Sequence, residues 1–271
     1  MEPIPNNILG LIAGKGELPQ LVAETASRKG LKVAVACFDD AVYKSLQSMV
    51  YKIALLGIGQ AGKTIKYLRD SGVVRVVLIG KFEKKLVFRD LLFDAAGLRI
   101  MSRAVRKSDT SVILSIFEEL ESGGLVIEKQ TDWLPDLLPG KGTIGTVQPS
   151  ERVLNDISYG AEICRDLAGK DIGQTIIVKE GVVVAVEGVE GTDETIERGC
   201  RLAGNGVVMV KMSRPKQDMR YDIPTIGLET INRLADMKAA GLAFEAGRVV
   251  IVNKDEVVKR ANAAGISLVA V

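Results

Sequence analysis

Apolar residues over the first 120 positions fall alternately into short unbroken runs and into stripes spaced three or four apart. The run ILGLIA at 8–13 reads as a buried strand, ELPQLVAETASRKG at 17–30 as an amphipathic helix stopped by Gly30, and KVAVACF at 32–38 as a second buried strand. KIALLG at 52–57, a helix through 62–72, the strand VRVVLIG at 74–80 and a helix over 109–124 continue the alternation. Strand and helix in strict turn predict βαβ units, and hence an α/β, Rossmann-like parallel-sheet domain over residues 1–130. In such sheets ligands meet the carboxyl ends of the strands.

The pattern then breaks. TDWLPDLLPGKGTIGTVQPS holds three prolines and three glycines without sustained periodicity, so the inter-domain linker is expected at 131–150. From 151 the pattern resumes: a helix to about 169, a hairpin in QTIIVKEGVVVAVEG, a helix from Thr192 to about Ala203 and the strand GVVMVKM at 206–212. A helix from Thr225 to about Ala240, short strands in LAFEAGRVVIV, a helix from Lys254 and the strand SLVAV complete a mixed α/β C-terminal domain, 151–271.

Composition removes several function classes. With 36 basic and 34 acidic residues the net charge is +2, too little for the basic field that nucleic-acid binding needs. Three cysteines, odd in number and set among apolar residues, point to buried thiols in a reducing compartment, so a cytoplasmic protein is expected. The N-terminal stretch lacks a positive n-region, and no apolar run is long enough to span a bilayer. There is no histidine, which excludes Ser-His and Cys-His nucleophile pairs and leaves acid, base or metal work to Asp, Glu, Lys, Tyr or Cys.

Polar residues gather at a few turns. GLIAGKGELP sets Gly14, Lys15 and Gly16 between a strand and a helix, where backbone N–H groups, the helix dipole and a lysine favour an anion; a tight turn requiring glycine is the rival reading. Lys81, in LIGKF, ends another strand on the same expected edge. In VEGVEGTDET, Thr192 and Asp193 fit a helix cap and first turn, while Glu187 and Glu190 follow an apolar run directly. KQDMRYDIPTIG at 216–227 packs two acids and two cations into twelve positions, with Asp222 before Ile-Pro-Thr and Thr225 as a candidate cap. Mg²⁺ prefers such oxygen ligands, and neighbouring cations would neutralise a phosphoryl group. On composition alone a polar surface loop explains the stretch equally well.

Taken in order, GLIAGKGELP, DIGQ, VEGVEGTD, KQDMRYDIPTIG and EAGR resemble, across essentially the whole chain, the two-domain UDP-2,3-diacylglucosamine pyrophosphatase family of lipid A biosynthesis, the LpxI family. The resemblance implies Mg²⁺-dependent hydrolysis of UDP-2,3-diacylglucosamine to UMP and 2,3-diacylglucosamine 1-phosphate (lipid X), with water attacking the β-phosphorus. It also implies a homodimer and peripheral contact of a cytoplasmic enzyme with the inner membrane. It places the family's essential aspartate on Asp222. The candidate metal ligands are then Asp222, Glu187, Glu190 and Asp193. The candidate substrate-binding set is Gly14, Lys15, Gly16, Lys81, Phe82, Gln174, Thr192, Lys216, Gln217, Arg220 and Thr225. Trp133, Leu134, Leu137 and Leu138 are candidate cover for acyl chains or for a domain contact. Two alternatives stay open: an NAD(P)-dependent oxidoreductase, with Asp39 or Asp40 on a ribose, and a non-catalytic sugar-nucleotide-binding protein.

Overall fold

The computed structural model describes residues 7–82, 93–103 and 109–271. The extreme N-terminal residues, 1–6, lie outside the described ones. The chain divides into two compact units, 1–134 with Met219–Tyr221, and 135–218 with 222–271.

In the first unit the unbroken apolar runs become β1 (Ile8–Ala13), β2 (Lys32–Cys37), β3 (Lys52–Leu55), β4 (Arg75–Ile79) and the short β5 (Val126–Ile127), all parallel in the order β3-β2-β1-β4-β5. Helices Leu18–Arg28, Ala61–Asp70 and Asp109–Ser122 follow the apolar stripes. A helix at Asp40–Leu46 stands where no periodicity announced one; the Asp39 carboxylate caps it by accepting from the N–H groups of Ala41 and Val42. The core beneath this sheet joins Ile12, Ala34, Val76, Leu78, Phe117 and Leu120. The strand order reverses between β1 and β4, so their carboxyl ends mark the switch point of the sheet.

The second unit carries a six-stranded sheet in the order β6-β13-β11-β9-β7-β8: β6 (Gly142–Ile144), β7 (Thr175–Lys179), β8 (Val182–Val186), β9 (Val208–Lys211), β11 (Gly241–Phe244) and β13 (Ser267–Ala270). β13, β11 and β9 are parallel; β6, and β7 against both β8 and β9, run antiparallel. Part of the expected linker is therefore sheet, because Gly142–Ile144 finds its partner in β13 more than 120 residues away. Two corrections concern helix starts. Thr225 does not cap a helix: Thr225–Ile226 is a strand, β10, paired in parallel with β12 (Val250–Ile251), and the helix runs Leu228–Asp236 behind the cap residue Gly227. Thr192 is the first residue of the helix Thr192–Ala203, whose cap position is Gly191 at φ 85°.

β9 is buried on both faces. Val208 and Val210 pack on the helix Glu151–Gly169, while Met209 joins Ile177, Ile196, Ile231 and Phe244 on the opposite face. Side chains alternate along a strand, so Lys211 follows Met209 toward the face covered by the helix Thr192–Ala203. Among the described residues no helix is long and apolar enough to cross a membrane.

Candidate functional site

Three strand ends of the second unit share one edge: the start of β7, the end of β8 and the end of β9. Thr175 pairs with Lys211, the Met212 N–H donates to the Gln174 carbonyl at 2.9 Å, and the Glu187 N–H donates to the Thr175 carbonyl at 2.8 Å. Around this edge a cleft of about 340 Å³ is lined by Gln174, Glu187, Lys211, Arg214, Asp222 and Thr225, with Gly173 and Pro224 among the rest. The volume suits a small polar ligand or part of a larger one. Gly173 is there because a Cβ would stand 2.1 Å from the Glu187 carbonyl oxygen.

The floor is a chain of hydrogen bonds. Lys211, 7% exposed, donates from Nζ to Thr192 Oγ1 at 3.0 Å and to Thr175 Oγ1 at 3.3 Å. Thr192 Oγ1 in turn donates to Glu187 Oε1 at 2.7 Å, and the Gln174 N–H donates to Glu187 Oε2 at 3.0 Å. The Thr192 hydroxyl thus links a lysine to a glutamate instead of capping its helix. Burial pulls the Lys211 ammonium below the usual lysine pKa, with the Glu187 charge the first of the groups opposing it.

The rim holds the charges. Arg214 faces two carboxylates, Asp171 at 2.7 Å from Nε and Asp222 at 3.3 Å from Nη1. Both aspartates sit in the left-handed region, at φ 59° and 53°, where side chains other than those of Gly, Asn and Asp are rare. The Asp222 turn is held by Gln217, whose Nε2 donates to the Asp222 carbonyl at 2.9 Å, while the Asp222 carboxylate remains two-thirds exposed, at 66%. Arg214 is anchored from behind by the EAGR segment. The Ser213 hydroxyl donates to Glu245 and its N–H donates to Glu245 Oε2 at 3.0 Å; Arg248 donates to Ser213 Oγ at 2.6 Å and to the Arg214 carbonyl at 3.0 Å.

Of the candidates read from the sequence, Asp222, Glu187, Gln174 and Thr225 line this cleft, Thr192 forms its floor and Gln217 shapes its rim. Others are used elsewhere. Glu190 pairs with Arg198 at 2.5 Å and accepts from the Gly188 N–H; its own backbone N–H and Arg198 hold its carboxyl below the usual range. Asp193 stands 3.5 Å from Arg233 Nε. Neither lines the cleft: Glu190 is drawn to Arg198 in the helix Thr192–Ala203 and Asp193 to Arg233 in the helix Leu228–Asp236. Lys216 is exposed and outside the lining. Arg220 belongs to the first unit, stacked 4.6 Å over Phe117 and 3.1 Å from Glu121. Lys211 and Arg214 are the residues the motifs under-weighted. The available signal was a lysine closing the otherwise apolar strand GVVMVKM.

The first unit's switch point is built differently. Gly14 and Gly80 stand back to back: a Cβ on Gly14 would lie 2.8 Å from the Gly80 carbonyl carbon. Lys15 and Lys81 form an antiparallel bridge, and the N–H groups of Gly14, Lys15 and Lys81 all donate to chain carbonyls. Those amides are therefore not turned toward an anion, and the glycines serve close packing. Gly16, at φ 100°, completes the turn. Lys15 Nζ lies 3.1 Å from Asp39 Oδ2, and Phe82 packs its ring 6.3 Å from that of Phe38. Asp39, engaged by a lysine and two helix amides, is committed to structure, which removes one of the two acids of the oxidoreductase reading; the other, Asp40, opens the helix Asp40–Leu46. Trp133 and Leu134 are buried, and Trp133 Nε1 donates to Glu128 Oε2 at 2.8 Å, so these two side chains provide no cover for acyl chains. Cys37, Cys164 and Cys200 are buried, and burial pushes the Cys164 thiol up to about 12 and Cys37 to about 11, far from nucleophilic use.

Among the described residues no group of three or more His, Cys, Asp or Glu side chains is placed to hold a metal ion alone. The donor set does fit Mg²⁺, which takes one or two carboxylates and completes its shell with water and phosphate oxygens. Asp222 is the exposed carboxylate of the cleft, whereas both Glu187 oxygens already accept hydrogen bonds.

Family comparisons agree with this two-part plan. Residues 8–137 match the LpxI N-terminal domain and residues 140–269 the LpxI C-terminal domain. A protein of Caulobacter vibrioides named UDP-2,3-diacylglucosamine pyrophosphatase LpxI is 34% identical over 274 residues, covering 97% of each chain. Solved structures are more distant. The crystal structure of gox2253 aligns over 96% of this chain and 76% of that one at 9% identity with a TM-score of 0.37. N5-carboxyaminoimidazole synthetase from Staphylococcus aureus aligns over 75% and 52% at 13% identity with a TM-score of 0.25; neither score marks a shared fold. Matched through both domains and nearly end to end, the chain belongs to the LpxI family.

Proposed function

We propose that this protein hydrolyses the diphosphate of UDP-2,3-diacylglucosamine in lipid A biosynthesis, releasing UMP and 2,3-diacylglucosamine 1-phosphate with Mg²⁺. The observation that carries the reading is the C-terminal cleft, where an exposed carboxylate, Asp222, faces Arg214 and buried Lys211 in a chain 34% identical to a pyrophosphatase of that name.

Bound Mg²⁺, held by Asp222 with Glu187 behind it, would supply positive charge to the phosphoryl oxygens. The remaining work falls to the chain. Arg214, fixed between Asp171 and Asp222 and tied by Ser213, Glu245 and Arg248, presents a guanidinium suited to phosphate oxygens. The Asp222 carboxylate, set by a left-handed turn, orients the attacking water. Phosphoryl transfer is accelerated mainly by such positioning and charge neutralisation. A homodimer and peripheral contact with the inner face of the inner membrane belong to the same proposal.

The test is UMP release from UDP-2,3-diacylglucosamine with Mg²⁺, with EDTA, and with UDP-N-acetylglucosamine in place of the lipid. Turnover of the diacylated substrate that stops with EDTA is expected. Equal turnover in EDTA would remove the metal, and absence of UMP would remove the reaction. Sedimentation velocity and flotation with anionic vesicles check the dimer and the membrane contact.

A further inference from the structure

We propose that Lys211 binds the phosphoryl group at the floor of the C-terminal cleft, its ammonium donating to a substrate phosphoryl oxygen while Thr175 and Thr192 hold it in place. The inference deepens the diphosphate-hydrolysis reading and rests on it.

An ammonium has three N–H donors. Two of those of Lys211 go to neutral hydroxyls, at 3.0 and 3.3 Å, and among the described residues no carboxylate stands within ion-pair distance. Burying an ammonium is costly, so a buried structural lysine ordinarily faces a carboxylate directly. Lys211 instead meets Glu187 only through Thr192. The side chain also lines an open cleft, so the third N–H has somewhere to go. A cation desolvated in advance and fixed before the ligand arrives interacts with an anion more strongly than a hydrated one and needs little reorganisation. Arg214, by contrast, is already balanced by Asp171 and Asp222. Thr192 is the positioning residue: it fixes the ammonium and passes its second hydrogen bond to Glu187, at the same wall of the cleft.

The experiment compares wild type with Lys211→Met and Thr192→Val in three readouts: kcat and KM on UDP-2,3-diacylglucosamine, calorimetric binding of inorganic pyrophosphate, and Tm. Lys211→Met, which fits an apolar strand, should lower kcat about 100-fold and weaken pyrophosphate about tenfold, while Tm stays level or rises. Thr192→Val should lower kcat roughly tenfold with little change in KM. Retention of kcat and pyrophosphate affinity within about threefold in Lys211→Met overturns the proposal. So does a loss that tracks a falling Tm in both variants, the mark of a purely structural lysine. If Lys211→Met does not fold, Thr192→Val decides alone. Wild type that binds pyrophosphate through Lys211 but releases no UMP would leave the anion site standing and sink the hydrolysis reading. Wild type that does neither overturns both.

Discussion

Two lysines stand at the carboxyl ends of parallel strands, one in each unit, and they are kept in opposite ways. Lys15, beyond β1, is partly exposed, pairs with Asp39 at 3.1 Å and sits in a turn whose neighbouring amides already donate to chain carbonyls. Lys211, at the end of β9, is buried against two hydroxyls and opens onto a cleft. The first arrangement is electrostatically closed and the second is open. A sheet edge alone does not make a binding site; a charge left to be neutralised there does.

The largest effect that would sharpen this contrast is expected at Asp222. Asp222→Asn keeps the left-handed backbone and should lower kcat about 1,000-fold with an unchanged Tm; near-normal turnover would move the chemistry away from this cleft. Glu245→Gln comes next. It loosens Ser213, Arg248 and hence Arg214 without touching substrate, and should cost roughly tenfold in kcat/KM. No effect would show that Arg214 is held well enough by its two aspartates.

Lys15→Met tests the other side. Turnover should change by less than about threefold, and stability by at most about 1 kcal/mol, since the pair it breaks is partly exposed and screened. A collapse in kcat would make the first unit's edge an active partner and break the contrast. The smallest signals are in pH. Lys15 and two helix amides hold the Asp39 carboxyl below its usual range. That stability is fully present above the unfolded pKa of about 3.9 and is lost as pH falls through the depressed folded value. Asp39→Asn should therefore flatten the acid limb of Tm against pH. Lys211, also depressed but by burial, makes stability rise with pH from its folded value up to the unfolded lysine pKa of about 10.4, and Lys211→Met should remove that alkaline slope. Identical pH profiles for wild type and both variants would contradict the two environments.

The sequence made the skeleton legible where one element supplies its own signal. β1, β2, β4 and the helix Thr192–Ala203 stand where apolar runs and stripes put them. It failed where the partner is remote. Gly142–Ile144 reads as linker because β13 lies far along the chain, and Thr225 reads as a cap because its strand partner, Val250, is 25 residues away. The site shows the same division. Asp222, singled out by its motif, lines the cleft, whereas no motif singles out Lys211, whose setting depends on Thr175 and Thr192, which only folding brings beside it. Glu190 and Asp193 misled for the complementary reason: Arg198 and Arg233, which claim them, lie elsewhere in the sequence.

The backbone at Asp222, φ 53°, also constrains how this protein can lose its chemistry. Geometry there admits Asp, Asn and Gly at little cost, whereas the proposed reaction admits only the carboxylate. Under that proposal, drift that spares the fold would run through Asn or Gly at 222, a single step to a folded pseudoenzyme. Alanine at the same place mixes backbone strain with lost charge and is the poorer reporter of either.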